Sequence, residues 1–158
     1  MKLFLLRHAE AHYTSPDARR QLTPYGEQTV RELAQFLPGR IKPDIDSIWH
    51  SPLTRAYQTA AIFKQELQLP AELVETNGLT PMDDPRLIIQ AIESQPQNIL
   101  LVGHNPHFES LVAELLGIDP QHVPVNVPKA SFLRFRRQVS GWQLRDHLTA
   151  KVTAKQSS

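Results

Sequence analysis

The chain has 158 residues, of which 41% are hydrophobic and 21% are charged, and its formal net charge is +1. This composition is typical of one globular domain with a core of its own, and it excludes a disordered chain. A net charge this small provides no overall field to attract nucleic acid or a membrane surface. The absence of cysteine excludes disulfides, thiolate catalysis and most structural zinc sites.

The first apolar run, residues 2–6, is too short to cross a membrane and is not followed by a signal-peptide cleavage site. We therefore expect a cytoplasmic location. No linker or repeat divides the chain, so a single domain is expected over residues 1–148. The polar residues 149–158 are expected to form a frayed tail.

The predicted elements alternate between strands and helices. In chain order they are strand 2–6, helix 24–37, strand 45–50, helix 52–67, strand 72–75, helix 84–93, strand 98–102, helix 106–116 and strands at 131–137 and 141–147. This order predicts an α/β fold of three layers, α/β/α, with a mainly parallel central sheet. An antiparallel C-terminal edge hairpin, turning at Val139-Ser140-Gly141, is expected to complete the sheet.

Three of the predicted strands end in side chains that suit a phosphoryl group. Arg7 and His8 follow the first strand, Arg55 follows the second at a short distance, and His104 follows the fourth. Open α/β sheets bind their ligands at the carboxyl ends of strands. Arginine binds oxyanions with two parallel hydrogen bonds, and neutral imidazole is a nucleophile. We therefore expect these four side chains to share one site.

The residues between strand and helix predict how each helix begins. Thr23, which precedes a proline, is expected to cap the first helix. Ser51 is expected to cap the second helix with Pro52 at its first position, which places Arg55 in the first turn. A cation is unfavourable at that end of the helix dipole, so the position favours an anion site. Asn105 is expected to cap the fourth helix.

These motifs resemble those of the histidine phosphatase superfamily, also called phosphoglycerate mutase-like. The resemblance extends from about residue 1 to residue 146, and four segments carry it: Arg7-His8, Leu22-Thr23-Pro24-Tyr25-Gly26, Ser51-Pro52-Leu53-Thr54-Arg55-Ala56 and Leu101-Val102-Gly103-His104-Asn105-Pro106. The short chain, the Arg-His-Ala-Glu-Ala opening and Gly78-Leu79-Thr80-Pro81 are similar to the SixA branch of phosphohistidine phosphatases.

The resemblance implies a phosphohydrolase that needs no metal or other cofactor and that acts in signal transduction. Its substrate would be protein phosphohistidine or a small phosphate ester, and the enzyme would be a monomer without nucleic-acid or membrane partners. His8 would be the nucleophile that carries the phosphoryl group, while Arg7, Arg55 and His104 would hold the phosphoryl oxygens. Arg20 would bind substrate, because the SixA branch has an arginine at the corresponding place.

Elementary electrostatics adds two expectations about the nucleophile. Arg7 and Arg55 should lower the pKa of His8, since positive neighbours disfavour an imidazolium ion. A backbone carbonyl should hold the second ring nitrogen of His8. Glu10 is expected to orient Arg7 or the loop after the first strand.

The general acid is less defined by the sequence. The match to the SixA branch implies that a dedicated acid is reduced or absent, because imidazole is already a good leaving group. Asp83 and Asp84 remain candidate proton donors, although Asp84 is equally well placed to cap the third helix.

Three other functions stay open at this point. One is a small-molecule phosphomonoesterase or mutase of the same superfamily, and another is a non-catalytic phosphate-binding domain. The third is a metal-dependent hydrolase that pairs His8 with His12 and His104 with His107. The histidines without a motif are expected on the surface or in the core: His12, His50, His107, His122 and His147.

Overall fold

The structure is a computed structural model that describes residues 1–122 and 125–150. Within this part of the chain the strands are β1 Lys2–Arg7, β2 Ser47–His50, β3 Glu72–Glu75, β4 Ile99–Gly103, β5 Phe132–Gln138 and β6 Gly141–Leu148. The α-helices are α1 Pro24–Phe36, α2 Thr54–Leu67, α3 Pro85–Glu93 and α4 His107–Leu116. Two short 3-10 helices span Asp17–Arg19 and Leu37–Gly39.

The six strands form one sheet in the order β3-β2-β4-β1-β5-β6. The first four strands of this order run parallel, and β5 and β6 form the antiparallel hairpin at one edge. On the central strand, Leu5 lies beside Leu101 on one side and Leu133 on the other. The predicted α/β architecture with an edge hairpin is therefore confirmed.

Successive side chains of β1 point to opposite faces of the sheet and divide the core in two. On one face, Phe4 and Leu6 pack with buried residues of α1 and α2, among them Val30 and Phe63. On the other face, Leu3 and Leu5 pack with buried residues of α3 and α4: Ile88, Ile92, Phe108, Leu111 and Val112. The sheet is thus covered by two helices on each side, and the ends of its strands remain available for a site.

Two helix starts differ from the prediction. Helix α2 begins at Thr54 after Leu53, and the Ser51 hydroxyl accepts a hydrogen bond from the Leu53 N–H instead of capping the helix. Helix α4 follows Pro106, and the Asn105 amide donates to the Val127 carbonyl and to Glu109. Both side chains have long-range polar partners that sequence periodicity does not reveal.

Other boundaries agree within one or two residues, the usual uncertainty of a helix or strand end. Thr23 caps α1 by accepting from the Gly26 N–H, as predicted. Asp84 caps α3 by accepting from the Arg86 N–H. The predicted frayed tail lies mostly outside the described residues, which end at residue 150. No helix among the residues described is long and apolar enough to cross a membrane.

Candidate active site

The carboxyl ends of three adjacent strands, β2, β4 and β1, create the candidate site. Arg7 at the end of β1 lies beside Gly103 at the end of β4. His8 and His104 follow these two residues, and their ring centroids are 5.0 Å apart. The sheet therefore brings the two histidines together from positions that are far apart in the sequence.

Backbone groups of neighbouring segments bind the N–H, the carbonyl and one ring nitrogen of His8. Its N–H donates to the Gly103 carbonyl over 2.9 Å, and its carbonyl accepts from the Ala130 N–H over 3.2 Å. Its Nδ1 lies 2.7 Å from the Ala9 carbonyl oxygen. Because a carbonyl can only accept, this contact places the proton on Nδ1 and leaves the lone pair on Nε2. A backbone acceptor on the second nitrogen agrees with the expectation from the sequence.

The surroundings of His8 keep its imidazole neutral. Burial is the largest cause and lowers the pKa of His8 to about 4, against a smaller opposing effect of the Ala9 carbonyl. The charges of Arg55, Arg7 and Lys129 lower it further. The two arginines act in the predicted direction, but burial is the stronger cause, and the contribution of Lys129 was not anticipated.

Arg7 and Arg55 present guanidinium donors that are not fully used by the protein. Arg7 Nη1 donates to the Val127 carbonyl over 2.7 Å. Arg55 Nη1 donates to the Asp17 carbonyl over 3.0 Å. In each arginine the Nε is buried, and within the described residues it has no hydrogen-bond partner. Buried donors are rarely left unpaired, so both are suited to an oxyanion.

Asp17 connects Arg55 to the predicted substrate residue Arg20. One carboxylate oxygen lies 3.4 Å from Arg55 Nη2, and the other lies 3.2 Å from Arg20 Nη1. Arg20 Nε also donates to the His12 carbonyl over 2.7 Å. Slight burial raises the pKa of Asp17, but hydrogen bonds and charge from the two arginines outweigh it, so the net direction is downward. Sequence reasoning missed Asp17, because no motif surrounds it.

His104 is oriented by a buried serine. Its Nε2 lies 2.8 Å from the Ser51 hydroxyl, and both side chains are buried. Burial is the main cause that lowers the pKa of His104 far below its usual value, with further lowering by His8 and Arg55. The His104 ring is therefore neutral, and its Nδ1 is buried without a partner among the described residues.

The acidic candidates all have structural partners. The Glu10 carboxylate accepts from the Thr23 hydroxyl over 2.7 Å, so it fixes the loop at the start of α1. Asp83 Oδ2 accepts from the Thr80 N–H over 2.8 Å and from the Thr80 hydroxyl over 2.7 Å. Besides capping α3, Asp84 forms an ion pair of 2.7 Å with Arg86. These contacts give Asp83 and Asp84 roles in the local fold.

Of the five remaining histidines, two are exposed, two are buried, and His147 is half-buried, between the surface and the core that the sequence predicted. His12 and His122 are exposed, and His50 is buried with its Nδ1 2.9 Å from the Ser51 carbonyl. His107 is buried, and neither of its ring nitrogens has a partner within the described residues. The residues described contain no group of three or more His, Cys, Asp or Glu side chains that could hold a metal ion. In particular, His8, His12, His104 and His107 do not form such a group.

The model of the histidine phosphatase superfamily (branch 1) matches residues 3–83. The chain is also 33% identical over 120 residues to the phosphohistidine phosphatase SixA of Escherichia coli (strain K12), covering 73% of this chain and 74% of that protein. The chain belongs to the histidine phosphatase superfamily. The sequence motifs named above thus identify its family correctly.

Two solved structures share the fold over nearly the whole chain. A structure of the protein histidine phosphatase SixA complexed with tungstate has a TM-score of 0.84 at 27% identity, covering 96% of this chain and 99% of that one. The α-ribazole phosphatase of Shigella flexneri has a TM-score of 0.76 at 20% identity, covering 95% and 97%. The second similarity is one of fold alone.

Proposed function

We propose that this chain is a phosphohistidine phosphatase that acts on phosphorylated proteins through a covalent intermediate on His8. The observation that carries the proposal is a neutral, buried imidazole whose Nε2 carries the lone pair, beside His104 and near the charges of Arg55 and Arg7. The 33% identical relative named phosphohistidine phosphatase and the tungstate complex of a SixA structure support the same activity.

In the first step, Nε2 of His8 attacks phosphorus while the bond from phosphorus to the substrate imidazole breaks. The electron pair of that bond goes to the departing nitrogen, and the phosphoryl group remains on His8. The Nε donors of Arg7 and Arg55 neutralise the oxygens of the transferring group, whose negative charge is spread over three atoms.

His104 supplies a third donor to the phosphoryl oxygens. The Ser51 oxygen already accepts a hydrogen bond from the Leu53 N–H. Among the described residues, the acceptor within reach of the Ser51 hydroxyl proton is Nε2 of His104. A buried hydroxyl that donated nothing would be unfavourable, so the serine hydroxyl donates to Nε2 and thereby favours the tautomer of His104 with its proton on Nδ1. The unpartnered Nδ1–H is then the donor that contacts the phosphoryl group.

In the second step, water attacks the phosphorus of the intermediate, the bond to His8 breaks, and inorganic phosphate leaves. The return of the electron pair to Nε2 restores the neutral imidazole. The low pKa of His8 favours this release, since a weakly basic nitrogen is a better leaving group. The same low pKa keeps His8 ready for the next substrate at neutral pH.

A phosphoenzyme trap tests this proposal. The protein is mixed with phosphoramidate or a phosphohistidine peptide and quenched in alkali, and the modified residue is mapped by mass spectrometry. We expect phosphate on His8, and His8→Asn should abolish both the label and turnover, because removal of a nucleophile lowers the rate by orders of magnitude. His12→Asn, in which an exposed histidine is replaced, is the matched control. Turnover without a label on His8 would contradict the covalent mechanism, and phosphate binding without turnover would indicate a binding domain.

Several predictions from the sequence are part of the same proposal and remain predictions. They are a protein substrate, a monomeric enzyme, a cytoplasmic location and a role in signal transduction. So do the substrate-binding role of Arg20 and the catalytic roles of Arg7, His8, Arg55 and His104. Hydrolysis of a small phosphate ester remains the alternative, and the leaving-group comparison in the Discussion separates the two substrate classes.

A further inference from the structure

Tyr13 is an exposed aromatic side chain held between two cations. Tyr13 is 83% exposed, although the guanidinium carbon of Arg20 lies 4.6 Å from the centroid of its ring. Lys129 Nζ lies 5.6 Å from the same centroid and 3.4 Å from the tyrosine hydroxyl. Tyr13 covers Arg20, whose side chain is 14% exposed. Such cation contacts hold the ring in place without burying it.

The surroundings of Tyr13 border the candidate active site on two sides. Arg20 shares the Asp17 carboxylate with Arg55. Lys129 lines one cavity together with Arg7 and with Tyr25, which is 66% exposed. We call the residues Tyr13, Arg20, Tyr25 and Lys129 the Tyr13 surface. A partner that placed its phosphoryl group on His8 would contact this surface with the residues around its own phosphorylated side chain.

The Tyr13 surface has positive charge that the protein does not neutralise. Asp17 is shared between Arg20 and Arg55, so one carboxylate faces two guanidinium groups. Within the described residues Lys129 forms no ion pair. Tyrosine and arginine are enriched in protein interfaces, and unpaired positive charge attracts an acidic partner.

We propose that the Tyr13 surface docks the phosphorylated protein, contacts an acidic region beside its phosphohistidine, and thereby selects protein substrates over small phosphate compounds. The inference rests on the proposed function and names the substrate class of that site. Phosphoramidate, which has a P–N bond and nothing beyond it, reaches the nucleophile without touching the surface. Changes to the Tyr13 surface are therefore expected to alter kcat/KM for phosphohistidine peptides and to leave kcat/KM for phosphoramidate nearly unchanged.

The first experiment compares three probes: phosphoramidate, a phosphohistidine peptide flanked by glutamates, and the same peptide flanked by lysines. The wild-type protein should favour the acidic peptide over the basic one in kcat/KM by about threefold or more, as exposed charge pairs contribute modestly. Lys129→Glu should reverse this preference. Lys42→Glu, the same charge change at an exposed position before β2, should preserve it. The ratio between the two peptides cancels any effect of Lys129 on the chemical step.

The second experiment replaces the aromatic ring. Tyr13→Ser should lower kcat/KM for both peptides by about fivefold or more, the effect of an interface anchor, and should change phosphoramidate turnover by less than about twofold. Tyr13→Phe should retain most of the peptide activity, because the ring remains. Val139→Ser, in the turn between β5 and β6, removes an exposed apolar side chain at the end of the sheet away from Arg7 and His8 and should have no effect.

The outcomes separate this inference from the proposed function. If the wild-type protein hydrolyses neither phosphoramidate nor the peptides, the proposed function is wrong. If it hydrolyses all three but treats the acidic and basic peptides alike, or if Lys129→Glu leaves their ratio unchanged, the docking inference is wrong. An equal loss of phosphoramidate and peptide turnover in Tyr13→Ser also contradicts docking, because it would assign the ring to the phosphate site.

Discussion

Ser51 and His104 form a buried hydrogen bond of 2.8 Å that joins the end of β2 to the end of β4. The bond explains why Ser51 does not cap α2, since its hydroxyl is already committed to the histidine on one side and to the Leu53 N–H on the other. One serine thus shapes the turn before α2 and contacts a ring nitrogen in the candidate site. Local structure and site chemistry depend on the same oxygen.

Ser51→Ala should lower kcat/KM for phosphohistidine by about tenfold or more, because His104 then loses the partner that keeps its proton on Nδ1. Nitrogen NMR shifts of His104 should change from one tautomer to a mixture, a readout that a loss of packing alone would not produce. Ser51→Thr keeps a hydroxyl and should retain the tautomer. An alanine variant with an unchanged His104 spectrum would contradict the role of Ser51.

Arg55→Lys should also lower kcat/KM by about tenfold or more, near 1.4 kcal/mol in transition-state stabilisation. Arg55 binds the backbone carbonyl and the carboxylate of Asp17, and its Nε has no partner within the described residues. A single ammonium group cannot keep both contacts with Asp17 and also bind a phosphoryl oxygen. Steady-state kinetics and tungstate affinity measure the loss. Arg31→Lys, at a surface arginine that pairs loosely with Glu27, is the control, and equal kinetics in the two variants would remove Arg55 from the site.

Gly26→Ala should destabilise the fold, because an added Cβ would lie 2.1 Å from the Glu10 backbone oxygen. A backbone atom in a loop bound to Thr23 cannot move aside freely, and overpacking of this kind typically costs about 1–3 kcal/mol. Gly39→Ala is the matched control, since no atom lies within 4 Å of its added Cβ. Thermal unfolding of both variants measures the difference in stability. Similar Tm values would contradict the prediction, because they would mean that the loop after β1 moves to accommodate the added Cβ.

Much of the fold, and the choice of candidate site residues, follow from the sequence, since both depend on local patterns. Short apolar runs predict the strands, and their abrupt polar ends suggest Arg7, His8 and His104 as candidate site residues. The family motif adds Arg55, whose position in the first turn of α2 is correct.

The features that the sequence does not reveal depend on contacts between distant segments. Asp17 meets Arg55 across 38 positions, and Ser51 meets His104 across 53. Lys129 approaches Tyr13 across 116 positions, because β5 pairs with β1. The low pKa of His8 belongs to this class, since burial by the assembled site is its largest cause. Neither periodicity nor capping residues contain information of this kind.

Protein stability should fall as the pH drops from about 6.5 to 4. The pKa of His8 is lowered from 6.5 to about 4 on folding, so the unfolded chain binds more protons throughout this interval. The stabilisation is complete above pH 6.5 and is lost progressively below it, by about 3 kcal/mol for this residue at most. Denaturant unfolding at pH 7 and pH 4.5 should show a smaller difference in His8→Asn than in the wild-type protein. His122→Asn, at an exposed site, should keep the wild-type difference, and an identical pH dependence in all three proteins would contradict the buried neutral state of His8.

The rate of hydrolysis should depend steeply on the leaving group, because neither acidic candidate is placed to donate a proton to it. Asp83 accepts hydrogen bonds in the turn before α3, and Asp84 caps α3 and pairs with Arg86. Phosphohistidine releases an imidazole that departs readily, whereas phosphoserine must expel an alkoxide that needs a proton. We therefore expect kcat/KM to be higher for phosphohistidine and activated aryl phosphates than for phosphoserine or glycerol phosphates. Asp83→Asn keeps an oxygen for the Thr80 N–H, and Asp84→Asn keeps one for the cap, so each should change phosphohistidine turnover by less than about twofold. A series of aryl phosphates with graded phenol pKa measures the dependence directly. A flat series together with a large loss in either asparagine variant would identify a working general acid and favour a phosphomonoesterase.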